Sequence, residues 1–341
     1  MLYTGGVVFY LLVIAGVVHF ESEGGGNIKD LGDGLWYAIV TLSTVGYGDY
    51  YPVTLGGRIL GLTLILGSIS ILGVLVAELT GYINSYLQKQ KLGMLGTKFS
   101  NHFVIIGWDD FAGYVVDQLV EVGTQVAVIC NSRETLELVQ NKYSGKQVFV
   151  LFADYGDYEK FEKAGLGRAA KVWINHGPDA DKLIMAVNLR KHYRDLELAM
   201  ALDAPDLKET FKAAGVTYII SKNEITARLM ASYLFEPDIA LYSEDLLNVS
   251  RNDEEYDLQQ YRVTEQNPFA GKDYNEAFFE MKKRYNAILV GLSKKDASGQ
   301  RKLLKNPTES VTIEVGNYLL LMSNGKAKTA MQRDFKVAEG S

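Results

Sequence analysis

Two runs along the chain contain no Asp, Glu, Lys or Arg: Met1 to Phe20 and Ile59 to Ala77. Each is close to the roughly 20 apolar residues that cross a bilayer, so the pattern predicts two membrane-spanning helices. Between them, Glu21 to Lys29 is Gly-rich and reads as a loop. Leu31 to Ser43 reads as a short helix with Asp33 as N-cap and Leu35, Ile39 and Leu42 on one side. The second span continues to about Gln88, with Gly61, Gly67, Gly73 and Gly81 permitting either a bend or close helix packing. Beyond a polar link from Gln88 to Ser100, short apolar runs alternate with amphipathic ones, which predicts a parallel sheet flanked by helices. Strands are expected at Phe103–Ile106, Gln125–Cys130, Val148–Phe152, Val172–Ile174, Leu198–Leu202 and Tyr218–Ile220. Helices are expected near Ala112–Val122, Thr135–Tyr143, Tyr158–Ala164, Ala180–Tyr193, Asp206–Ala214 and Glu224–Phe235. Tyr242 to Asp257 is acidic and reads as a second link. A small α+β lobe follows, with strands near Gln260–Val263, Ala287–Leu292, Val311–Ile313 and Tyr318–Met322, a helix at Asn275–Arg284 and a Lys-rich turn. The implied plan is an α-helical two-span membrane unit over 1–90, a link at 91–100, an α/β Rossmann-like unit over 101–240, a link at 241–258, a lobe over 259–323 and a frayed tail at 324–341.

Charge adds sidedness to this plan. Lys89, Lys91 and Lys98 follow the second span, which places that end, and hence both ends, in the cytoplasm. A signal peptide is the rival reading of the first run, but that run lacks a basic start and a small-residue cleavage site. The segment between the spans carries Glu21, Glu23, Asp30, Asp33 and Asp49 against Lys29 and Arg58, so its outer face is expected to be net negative and to concentrate cations. The single cysteine, Cys130, excludes an intrachain disulfide framework and reads as a buried, inert thiol. No apolar span repeats Arg or Lys every third residue, which excludes a voltage-sensing helix. The net charge of −6 and the lack of a basic, aromatic-laced patch argue against nucleic acid. Four histidines without paired metal spacing argue against zinc, and no Ser/His/Asp or Cys/His grouping suggests an enzyme.

The stretch with the sharpest chemistry is Thr44-Val45-Gly46-Tyr47-Gly48-Asp49. A dehydrated K⁺ ion needs shells of oxygen in place of its water, and four copies of such a segment supply stacked rings of backbone carbonyls. One chain cannot close the ring. The carbonyls must all turn inward along an extended strand, at angles that Gly46 and Gly48 reach without a Cβ penalty. A surface turn is the bland reading of a short Gly/Tyr/Thr run, but here the run sits between two spans and behind an aromatic helix. That helix would aim the negative end of its dipole at the waiting cation, with Trp36 and Tyr37 bracing Tyr47. Glu78 falls near the inner mouth, where it either attracts K⁺ or snorkels to the interface. These residues resemble the pore of two-span potassium channels. The resemblance implies K⁺ as the permeant ion, a homotetramer, and Thr44, Val45, Gly46, Tyr47 and Gly48 as the selectivity filter, its Asp49 end outside.

The α/β region opens its ligand crevice at the carboxyl ends of its strands. After the first strand, Gly107-Trp108-Asp109-Asp110-Phe111-Ala112 offers Gly, Asp and Ala where a dinucleotide fingerprint wants Gly, Gly and Gly or Ala; Asp109 weakens pyrophosphate binding. Asn131 and Arg133 after the second strand, Ala153-Asp154 after the third, and Asn175-His176 after the fourth complete the rim. A bound adenine nucleotide (NAD or ADP), an empty structural domain and a different ligand stay open as readings. Joined to the pore, this region resembles the RCK domains (regulators of potassium conductance) of prokaryotic potassium channels. That resemblance implies a ligand-gated channel of the inner membrane, bathed in lipid, whose paired RCK domains form a cytoplasmic ring pulling on the inner helices when a small-molecule regulator binds. Some members bind Ca²⁺ through carboxylates at the ends of the fourth and fifth strands; here Asn175, Asp203 and Ala201 offer too little anionic oxygen, and Ca²⁺ elsewhere stays open. The second set of domains would come from a separate copy starting near Met94 or from a tandem domain following this stretch. Two rivals belong to other classes: a membrane-anchored nicotinamide oxidoreductase, which leaves Thr44 to Asp49 without a role, and a regulatory nucleotide-binding subunit of a potassium transporter.

Overall fold

Three helices build the N-terminal unit: α1 (Leu2–Glu23), α2 (Leu31–Leu42) and α3 (Leu55–Lys91). They belong to a computed structural model that describes residues 2–145, 147–248, 250, 252–295 and 301–340, in which the chain divides into two units, Met1–Lys91 and Leu92–Ser341. Both α1 and α3 are long and apolar enough to cross a membrane. The 37 residues of α3 reach about 55 Å at 1.5 Å per residue, well beyond the ~30 Å hydrocarbon core. The helix is continuous through Gly61, Gly67, Gly73 and Gly81. The unit's core is made by Val13, Ile14 and Val17 of α1, Ile28, Tyr37 and Ala38 around α2, and Leu64 of α3. The N-cap of α2 is Asp30, not Asp33. Asp30 is extended and its Oδ1 accepts from Asp33 N at 3.0 Å, while the Asp33 carboxylate reaches back to Lys29 N at 2.9 Å. Two acids three residues apart thus satisfy the Asp33 N–H of the first turn and, just ahead of the cap, the Lys29 N–H, a variant of the capping box.

The second unit opens with β1 (Phe103–Ile106), α4 (Asp110–Glu121), β2 (Val126–Cys130), α5 (Arg133–Lys142), β3 (Val148–Phe152), β4 (Lys171–Ile174), α6 (Asp179–His192), β5 (Leu198–Leu202), α7 (Lys208–Ala213) and β6 (Tyr218–Ser221). The six strands are parallel in the order β3-β2-β1-β4-β5-β6, which sets the topological switch between β1 and β4. Val126 to Cys130 is buried throughout, as a strand covered on both faces must be. The helix expected between β3 and β4 is only a 3₁₀ turn, Lys160–Ala164, stopped by Gly165.

Residues expected to form a free polar link are bonded to this sheet. Leu92 O accepts from Phe152 N at 3.0 Å, and Thr97 N donates to Lys163 O at 2.9 Å. The Arg168 guanidinium donates to Thr97 O at 3.0 Å and to Phe99 O at 3.2 Å.

After β6 come α8 (Lys222–Phe235) and α9 (Pro237–Leu247), then β7 (Tyr256–Arg262), α10 (Tyr274–Tyr285), β8 (Ile288–Lys295), β9 (Arg301–Lys305), β10 (Tyr318–Asn324) and α11 (Gly325–Phe335). The last four strands form an antiparallel sheet in the order β7-β10-β8-β9. Four expectations fail here. The acidic link begins inside α9 and ends inside β7. The stretch read as a Lys-rich turn contains β9, and the strand expected at Val311–Ile313 is a single bridge from Thr312 to Asp273. The tail is not frayed: Asn324 caps α11 by accepting from Ala327 N at 3.0 Å, and Ala327, Met331 and Phe335 are buried with Tyr261 and Phe269.

Candidate functional site

The turn out of α2 sets the geometry of the filter stretch. Thr44 N donates to Thr41 O and Val45 N to Val40 O, both at 3.1 Å, so the last carbonyls of the helix receive the first amides of the run. Thr44, Gly46 and Gly48 have φ of +59°, +60° and +76°, with Val45 and Tyr47 outside the positive region. Gly46 and Gly48 thus take the angles expected of glycine here, and Thr44 adds a left-handed position that was not expected. A regular extended strand points successive carbonyls to opposite sides, whereas alternating left- and right-handed residues turn successive carbonyls toward the same side. Glycine supplies two of the three left-handed positions freely; Thr44 pays about 1–2 kcal/mol for the third.

The outer end is braced by side chains. The Trp36 and Tyr47 rings stack with centroids 6.3 Å apart and an interplanar angle of 7°. Trp36 Nε1 donates to Asp49 Oδ2 at 2.8 Å, and Asn27 Nδ2 to Asp49 O at 2.6 Å. Tyr37 instead lies in the three-helix core. The Lys29 N–H, aided by the Tyr50 hydroxyl, holds the Asp33 carboxyl below the usual carboxylate range. Glu21 was expected on the negative outer face but is fully buried: its carboxylate accepts from Val53 N and Thr54 N, both at 2.9 Å, and from Thr54 Oγ1 at 2.6 Å. An acid closing an apolar span was the available signal for that role.

In the sheet unit, three of the expected rim residues converge at the β1/β4 switch. Gly107 has φ +97°, and a Cβ there would lie 2.5 Å from Asn175 O, so only glycine lets the two strand exits pass. Asp109 caps α4: its Oδ1 accepts from Ala112 N at 2.8 Å and from Asn175 Nδ2 at 2.7 Å. The carboxylate thus takes a helix donor that a phosphate would use. Ala153 is buried, its N–H on Cys130 O at 2.9 Å, while Asp154 Oδ1 accepts from Gly156 N at 2.8 Å. Asn131 and Arg133 are exposed at the exit of β2, and the Trp108 ring packs edge-on against Tyr143 between α4 and α5. Sequence reasoning passed over Tyr155, whose ring lies 3.9 Å from that of His176 across the rim. Burial pushes the Tyr155 hydroxyl up to about 12 and the Cys130 thiol up to about 11, which keeps Cys130 unionised and inert. Burial also lowers His176, against the pull of Asp181 and Asp154.

The ends of β4 and β5 do not suit Ca²⁺. Asn175 faces Asp109, and the nearest buried carboxylate, Asp179, holds the Lys182 ammonium at 2.9 Å. Among the described residues no group of three or more His, Cys, Asp or Glu stands ready for a metal.

An ion-channel family matches residues 3–85, and the TrkA-N domain family matches residues 103–222. The chain is 25% identical over 224 residues to the calcium-gated potassium channel TvoK of Thermoplasma volcanium, covering 62% of each protein. It is 20% identical over 318 residues to the probable potassium channel protein 2 of Methanocaldococcus jannaschii, covering 91% of this chain and 87% of that one. The human SLO3 gating ring shares the fold at a TM-score of 0.51 and 12% identity, over 69% of this chain and 46% of that one.

Proposed function

Because the chain belongs to the prokaryotic potassium channels that join an ion-channel pore to a TrkA-N (RCK) domain, we propose that it forms a homotetrameric K⁺-selective channel opened and closed by a ligand on its cytoplasmic domain. The backbone of Thr44 to Gly48 carries this reading: left-handed angles at every second residue turn its carbonyls to one side, and four such segments make the rings that strip and hold K⁺. Thr44, Val45, Gly46, Tyr47 and Gly48 line the ion path. In one chain Val45 and Tyr47 are 52% and 69% exposed, surfaces that neighbouring copies would cover. The relatives are potassium channels of the membrane, not enzymes, and the oxidoreductase reading gains nothing from them.

The ligand proposed for the rim is an adenine nucleotide, NAD or ADP. Support comes from the doubly wound strand order and the crevice at Gly107 and Asn175; in this reading Asn131 would take a ribose hydroxyl and Arg133 a phosphate. Asp109 works against it, so the pyrophosphate would lie away from the first turn of α4. Four paired domains would form a ring, and the ligand would favour one ring geometry over another, pulling on α3. A ligand that binds both geometries equally does nothing.

Thermal unfolding with NAD, NADH, ADP, ATP and AMP tests this assignment. A ligand at 100 times its Kd adds about 2.7 kcal/mol of stability, and Arg133→Ala should abolish the resulting Tm rise. If none of these nucleotides moves the Tm, Gly107, Asn131 and Arg133 are not a nucleotide site.

A further inference from the structure

The clasp between α6 and the end of β5 is built around a cation that the chain supplies itself. Lys182 is 2% exposed, and its ammonium donates to Asp179 Oδ1 and to the Ala201 carbonyl, each at 2.9 Å. The other Asp179 oxygen accepts from the N–H groups of Asp203 and Ala204, each at 3.0 Å. One carboxylate and one ammonium therefore tie the first turn of α6 to the exit of β5. A carboxylate and a backbone carbonyl converging on one positive charge are also the oxygen donors that a hard divalent cation takes. With Nζ already at that point, a second cation on the same oxygens would meet a like charge in a medium that screens it poorly.

We propose that Lys182 is a tethered substitute for a divalent cation, which holds the first turn of α6 against the end of β5 and makes this place indifferent to Ca²⁺. The inference concerns cation binding by the cytoplasmic unit and stands apart from the conduction reading and from the nucleotide reading. An ordinary buried ion pair would predict only a loss of stability when Lys182 is cut back. A cation substitute predicts, in addition, that a free divalent ion repairs the loss.

The test uses the full chain in detergent, with thermal unfolding and calorimetric Ca²⁺ titration at constant ionic strength. The wild-type Tm should not respond to millimolar Ca²⁺. Lys182→Ala should lower the Tm by roughly 5–15 °C, because it strands a buried carboxylate, and millimolar Ca²⁺ but not Na⁺ should restore at least half of the loss. Adding Asp179→Asn to that variant should abolish the recovery, and Lys182→Met, which fills the space without a charge, should stay low and unresponsive. A Lys182→Ala protein whose Tm ignores Ca²⁺ overturns the proposal. Should that variant fail to fold, the wild-type titration decides: a saturable Ca²⁺ signal removed by Asp179→Asn overturns the proposal, and its absence supports it.

Discussion

Glu21, Asp33 and Asp109 are carboxylates committed to backbone N–H groups, each fixing a segment next to a site. Glu21 ties the end of α1 to the loop that runs from the filter into α3, through Val53 and Thr54. Glu21→Ala strands three donors and should cost on the order of 3 kcal/mol, while Glu21→Gln, which keeps an acceptor, should cost less than half of that; thermal unfolding in detergent measures both. His102 behaves differently because it is buried with one ring nitrogen on Ala164 O at 2.8 Å and the other, Nδ1, without a partner. Burial first, and then the nearby Arg168 charge, lower its pKa below the ordinary 6.5, against the pull of the Ala164 carbonyl. The unfolded chain then binds the proton more readily than the folded one. Stability is therefore fully present above about pH 6.5 and is lost as the pH falls below it. The Tm should drop between pH 7.5 and 5.5, and His102→Asn should flatten that drop; an identical pH profile in the variant would contradict the assignment.

At the scale of elements, the stretch from Leu92 to Phe99 is the one whose role differs most from its composition. It looks like a polar spacer, but its carbonyls are held by Phe152 N and the Arg168 guanidinium, so these residues, which directly follow α3 in sequence, belong to the sheet unit. Arg168→Ala should leave ligand affinity within about twofold while reducing the ligand-induced change in open probability several-fold, read by single-channel recording across a ligand titration. Such backbone bonds leave no trace in a hydrophobic pattern, which explains why the spans and the parallel strands were legible and this stretch was not. The same reasoning covers the other misses. The helix α11 shows its period at Ala327, Met331 and Phe335, but its position at the end of the chain suggested fraying. The cap at Asp30 and the decoy at Asp33 differ only in which one the backbone extends. At the ends of the strands, the meeting of Gly107, Asp109 and Asn175 follows from their positions just after the first and fourth strands, whereas the buried Asp179–Lys182 pair was not legible, because a charged pair three residues apart on a helix usually faces water.

At the scale of the whole molecule, conduction is a matter of symmetry. In the channel reading the carbonyls of Thr44 to Gly48 would share one side, and an ion needs that side repeated around an axis before it can shed its water. The stretch alternates in backbone handedness, and its outer end is anchored where Trp36 and Asn27 donate to Asp49. Gly46→Ala would force a side chain into φ +60° at a strain of about 1–2 kcal/mol per subunit, so conduction should be lost while the helices still insert, as judged by yield and size in detergent. The most direct test of the central claim is the reversal potential of the purified protein in a planar bilayer with K⁺ on one side and Na⁺ on the other. The account predicts a strongly displaced potential set by K⁺ alone, and a reversal at zero, meaning equal permeability to the two ions, would contradict it.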